Sequence, residues 1–167
     1  MKIRCSFLFS LLFCAFFQVQ AQSSTDQQLV EKSLDRLLEI VSVEAGSQAD
    51  TAALRNLCLP HCYFTVRMAD DSDPAYQKVD LNSFIMLLTD DYYSKGFTEV
   101  SLGRSIQIFN GIAIVFEGFE YTDSEGNSGR GVNSIQLLRV KDEWKIANVL
   151  WTGESESESV PEYLDQH

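Results

Sequence analysis

From Phe97 to Thr152 apolar side chains recur at nearly every second position, interrupted only at Asn110-Gly111, at Asp123–Ser128 and around Lys141-Asp142-Glu143. A period of two belongs to strands with one buried face, and Asn-Gly between two such runs specifies a two-residue hairpin turn. The reading is an antiparallel meander: strand 97–109, strand 112–122, and a long hairpin from Gly129 to Thr152 around the Lys141-Asp142-Glu143 turn. A chain committed to such a sheet must cover one face of it with something else.

The residues before it supply the cover. Val30, Leu34, Leu37, Leu38 and Val41 recur at helical spacing within 24–43, and Gly46 follows as a stop. A second helix is predicted from Asp50 to Leu57, ended by Pro60. Tyr63–Arg67 reads as a strand and 69–78, with three aspartates and Pro74, as a loop. Asp80 caps a third helix carrying Phe84, Leu87 and Leu88. Helices first and a bent antiparallel sheet after them is an α+β plan, with three N-terminal helices on one face.

The Asn110-Gly111 turn also fixes a register. Phe109 opposes Ile112, so Arg104 falls opposite Glu117. Alternation then puts Val100, Leu102, Arg104, Ile106, Ile108, Ala113, Val115, Glu117, Phe119 and Tyr121 on one face, expected to lie under the helices. Glu99, Ser101, Phe109, Ile112, Ile114 and Phe116 fall on the other. Two readings of Arg104 and Glu117 stand side by side: a polar pocket floor, or a cross-strand salt bridge worth under about 1 kcal/mol. The second face, with Ile112, Ile114 and Phe116 together, suits a dimer partner or a covering tail. In the terminal hairpin, alternation groups Trp144, Ile146, Asn148 and Leu150, and sets Asn133 with Ile135 and Leu137. Asn133, Asn148, Arg67 and Tyr63 join Arg104 and Glu117 as candidate ligand-binding residues.

Residues 1–21 carry a basic start (Lys2, Arg4), an apolar run from Phe7 to Phe17 and Val19-Gln20-Ala21, the pattern of a cleaved signal peptide. The expectation is export, to the periplasm or exterior, with a single domain over 22–153 and a free acidic tail over 154–167. Cleavage leaves 11 basic against 24 acidic residues, a net charge of −13, which argues against nucleic acid or an anionic membrane as partner. Cys58 and Cys62, the cysteines outside the signal, suit a disulfide or two buried thiols. A metal site would need more ligands than His61 and His167 provide, and no cofactor is expected. There is no Gly-x-Ser-x-Gly elbow, phosphate loop, dinucleotide fingerprint or His-Glu-x-x-His motif. Acid–base chemistry, if any, falls to a carboxylate or tyrosine, with Glu117 the first candidate.

Arg130, Gly131, Asn133, Ser134, Gln136, Leu137 and Leu138, followed by Trp144, Ile146 and Trp151, form a closing pattern that resembles the NTF2-like (SnoaL-like) superfamily. Phe97, Glu99, Arg104, Asn110-Gly111-Ile112-Ala113 and Glu120 fit it too, so the resemblance covers about 26–153. It implies a cone-shaped α+β fold, a cavity between helices and concave sheet, and a homodimer. It implies no single reaction, because that superfamily spans isomerases, dehydratases, cyclases and non-catalytic binders. The sequence lacks a cavity histidine, which favours a small-molecule binder over a ketosteroid-isomerase or dehydratase type of enzyme, with a structural dimer as a further alternative.

Overall fold

A computed structural model describes residues 25–68 and 74–166. The signal segment expected at 1–21 lies outside the described residues. Helix α1 spans 25–41, α2 Thr51–Leu57, α3 Leu81–Leu88, and a single turn, α4, Asp91–Ser94. The strands are β1 (Cys58–Arg67), β2 (Tyr76–Asp80), β3 (Phe97–Phe109), β4 (Ile112–Asp123), β5 (Ser128–Val140) and β6 (Glu143–Gly153). Local chemistry sets the ends. Asp50 and Asp80 accept hydrogen bonds from the backbone N–H groups of Ala53 and Ser83, satisfying donors that the first helical turn leaves free. Asn110 and Gly111 both take positive φ, as the tight β3–β4 turn requires.

One six-stranded sheet results, in the order β2-β1-β6-β5-β4-β3. The meander is antiparallel as predicted, but β1 runs parallel to β6. The segment 76–80, whose first three residues were expected to close the 69–78 loop, pairs with β1 as an exposed edge strand. The core lies between α1, α3 and the concave side of the sheet. Val30, Leu34, Leu37 and Ile40 pack from α1, and Phe84, Ile85 and Leu88 from α3. They meet Phe64, Val115, Ile135, Ile146 and Val149 of the sheet. Each such side chain contributes about 1.5–3 kcal/mol by leaving water.

Two bulges alter the predicted faces. The Phe109–Ile112 register holds through Arg104↔Glu117 and Gly103↔Gly118, then slips, so that Ser101 opposes Phe119. Leu102 is the extra residue. Beyond it Glu99 and Ser101 stand on the concave face, and Val100 and Leu102, assigned there by strict alternation, turn away from it. A second slip between Gln136 and Leu137 leaves Ala147 as the extra residue on β6. Trp144 and Ile146 therefore face the core, while Asn148 and Leu150 point to the convex side.

The acidic tail, expected to hang free, takes a defined path over that convex side. Glu154 N–H bonds to the Arg130 carbonyl, a 3-10 turn forms at Glu162–Leu164, and Gln166 N–H reaches the Leu102 carbonyl. Val160 and the fully buried Leu164 pack on Leu102 and Val132. Arg130 fixes the end through Asp165 at 2.6 Å. Gly103 and Gly118 make room: a Cβ on Gly118 would run into the Leu164 carbonyl. The rest of the convex face stays open, with Phe109, Ile112, Ile114, Phe116, Leu138 and Leu150 exposed.

Candidate functional site

The concave sheet does not close completely on the helices. At the end away from the Asn110-Gly111 turn a cavity of about 330 Å³ opens, walled by Leu37 and Val41 of α1, Phe64 and Val66 of β1, and Val149 and Trp151 of β6. Tyr92, Tyr93, Phe97 and Tyr121 form a connected aromatic wall on its other side. Tyr93 meets Phe97 with centroids 4.9 Å apart, and Phe97 stacks on Tyr121 at 5.6 Å. Volume and apolar lining match those of small-molecule sites.

Among the described residues, Glu99 and Asn133 are the polar side chains that face this space apart from the aromatic ones. Asn133 Nδ2 donates to Glu99 Oε1 at 3.1 Å. Glu99 is anchored through its backbone as well: its N–H donates to Ser42 Oγ, the Ser42 hydroxyl is within 3.2 Å of its carbonyl, and Val43 bridges to Phe97 just before it. The end of α1 thus holds the start of β3, and the Leu102 bulge turns Glu99 inward. Burial pushes the Glu99 carboxyl up to about 7; the Asn133 amide pulls the other way, and the nearby Glu117 charge adds to the rise. The same setting, burial first and then Glu99, pushes the Tyr93 phenol up to about 12, so it keeps its proton.

Glu117 and Arg104 lie on the concave side as predicted, yet neither lines the cavity. Glu117 is completely buried. Arg104 Nε donates to Glu117 Oε1 and Nη1 to Asp35 Oδ1 on α1, each at 2.5 Å. Burial raises the Glu117 carboxyl, with the guanidinium opposing it. Ser101 and Asn133 also favour its charged form, although Oε2 has no well-aligned hydrogen-bond donor. Removing one partner of so buried a pair costs about 3–5 kcal/mol, far beyond a surface bridge. The pair is a strut between α1 and the sheet, lying behind the groups that face the cavity.

Of the other candidates, only Asn133 enters the cavity. Tyr63 and Asn148 are register neighbours on the convex side, where Lys78 Nζ sits 3.6 Å over the Tyr63 ring. Arg67 is exposed at the end of β1, with Nη1 near the Met68 carbonyl. Cys58 and Cys62 are both buried as free thiols, and the adjacent Cys62 together with burial holds the Cys58 thiol well above its usual range. Among the described residues no cluster of three potential metal ligands occurs, and no helix is long and apolar enough to cross a membrane. Glu99 is the residue that alternation misplaced. The signal for it was present: two facing glycines, Gly103 and Gly118, inside otherwise regular strands mark a bulge or a close approach.

No family model matches the sequence, and no curated protein matches it. Solved structures do. An NTF2-like superfamily protein from Salmonella enterica superposes with a TM-score of 0.63 at 16% identity, over 84% of this chain and 98% of that one. An NTF2-like protein with a cystatin-like fold from Novosphingobium aromaticivorans gives 0.66 at 11% identity, over 84% and 90%. A scytalone-dehydratase-like protein from the same organism gives 0.61 at 12%, over 85% and 93%. At these identities the likeness speaks to architecture, and with the bent sheet, the N-terminal helices and the cavity between them it leads to one conclusion: this chain has the NTF2-like cone fold.

Proposed function

We propose that the protein binds a small, largely apolar molecule in the cone cavity, held at one polar point by Glu99 and Asn133. The observation that carries this reading is a carboxyl raised to about 7, hydrogen-bonded on one side only, facing an aromatic cavity large enough for a ligand. A thermal-shift panel on the signal-free chain tests it. A ligand at a hundred times its Kd adds about 2.7 kcal/mol of stability. A compound that raises the melting temperature of the wild type, and fails to do so when Val149→Trp fills the cavity, supports the reading. A broad panel that leaves the wild type unmoved overturns it.

The same carboxyl favours a second reading, proton transfer on a ligand in that cavity. A base with a pKa near the working pH is the efficient one, and apolar walls maintain that value. The base is then Glu99 rather than Glu117, which is sealed from the cavity by its ion pair. Turnover lost in Glu99→Gln with ligand affinity retained identifies an enzyme; a wild type that binds but leaves every ligand unchanged identifies a binder.

Two further points belong to this reading. The open part of the convex face is taken to be covered by a second copy of the chain, because the tail covers only the Gly103–Gly118 end of the same apolar surface. The chain is taken to work outside the cytoplasm, and the mass of the protein recovered from its host distinguishes a start at Gln22 from an intact chain.

A further inference from the structure

We infer that the ligand of this cavity is a small organic cation, an amine carried on an aromatic or cyclic apolar body. The inference rests on the binding reading above and specifies its ligand class.

The charge pattern around the cavity argues for it. Among the described residues, no Lys, Arg or His lines the space, and Glu99 is its only ionisable group apart from tyrosines. Arg104, behind the floor, is already engaged by both Glu117 and Asp35, so it offers no unpaired charge to an anionic ligand. An anionic ligand would leave water without meeting a partner charge, at a cost no other contact here offsets. A neutral ligand leaves Glu99 with its desolvation uncompensated whenever it is ionised. A cation removes that penalty, since an opposite charge within about 4–6 Å favours the carboxylate.

The walls point the same way. Tyr93, Phe97, Tyr121 and Trp151 line the same cavity as the carboxyl, and aromatic rings attract ammonium groups while accommodating an apolar body. The lone amide, Asn133, already donates to Glu99 Oε1, which leaves the other carboxylate oxygen without a hydrogen-bond partner among the described residues and able to accept from an ammonium N–H. Tyr93, whose phenol stays protonated, does not compete as an anion.

Isothermal titration of the signal-free chain with three probes on one ring system tests the inference: 1-naphthylmethylamine, 1-naphthylmethanol and 1-naphthoate. The expected order is amine, then alcohol, then carboxylate, with the amine at least tenfold tighter than the alcohol. In Glu99→Gln the amine-to-alcohol ratio falls to about one. The wild-type comparison stands by itself if that variant does not fold. Alcohol binding as tight as amine, or naphthoate binding tighter than either, overturns the inference and leaves the cavity reading intact. Failure of all three probes, together with an inactive thermal-shift panel, overturns both.

Discussion

Glu99 is where the physics of one residue decides most. Its carboxyl is held at about 7, against 4.5 for a free glutamate, chiefly because the cavity wall dehydrates the charged form. The groups near it are the Asn133 amide on β5, Glu117 on β4 with its partner Arg104 on β3, and Tyr93 on α4, while Ser42 at the end of α1 holds its backbone. The folded protein therefore binds a proton between pH 4.5 and 7 that the unfolded chain has released, so stability falls as pH rises through that window and levels off above it. Urea midpoints measured from pH 4.5 to 8 for the wild type and for Glu99→Gln isolate this contribution. Their difference is expected to shrink or reverse steadily between pH 5 and 7, by roughly 1–3 kcal/mol in total. Parallel curves would show a well-solvated carboxyl. Asn133 was legible from the sequence as a polar residue on an apolar face, and the Arg104–Glu117 opposition as a pair. Neither disclosed that the pair lies behind the cavity rather than in it, because depth is set by α1 and Asp35, far away in the chain.

Elements are legible in the sequence wherever a local rule governs them and obscure where a distant segment does. Asn110-Gly111 and Asp80 specify their turn and cap through their own backbone preferences. The bulge at Leu102 has a different origin. Val100 and Leu102 are apolar like core residues, and alternation counts them as core, yet Leu102 is buried on the opposite side, beneath Leu164. Apolarity reports burial without saying under what. The tail misled for the complementary reason: Glu154-Ser-Glu-Ser-Glu158 has the composition of a solvated segment, while Val160 and Leu164, two apolar side chains spaced to reach one groove, do the docking. Leu164→Ala is expected to lower the unfolding free energy by about 2 kcal/mol and to make the segment after Gly153 the first site of limited proteolysis. An unchanged urea midpoint would mean that the tail does not hold the sheet.

For the molecule as a whole, the cone has two surfaces with different tasks: a concave one that encloses the cavity and a convex one that leaves Ile112, Ile114 and Phe116 in water. A monomeric protein seldom leaves so apolar a sheet face uncovered. Sedimentation at tens of micromolar is expected to give twice the chain mass for the wild type and the single mass for the Ile114→Glu, Phe116→Glu double variant; a monomeric wild type would leave that face without its second copy. Ligand binding in the cone requires Glu99 to be a dehydrated carboxyl open to the cavity, and carbon-13 NMR of that carboxyl, with and without a stabilising compound from the thermal-shift panel, tests this most directly. The resonance is expected to titrate near pH 7 in the free protein and to move saturably as ligand is added. A carboxyl titrating near 4.5 and indifferent to that ligand would contradict it.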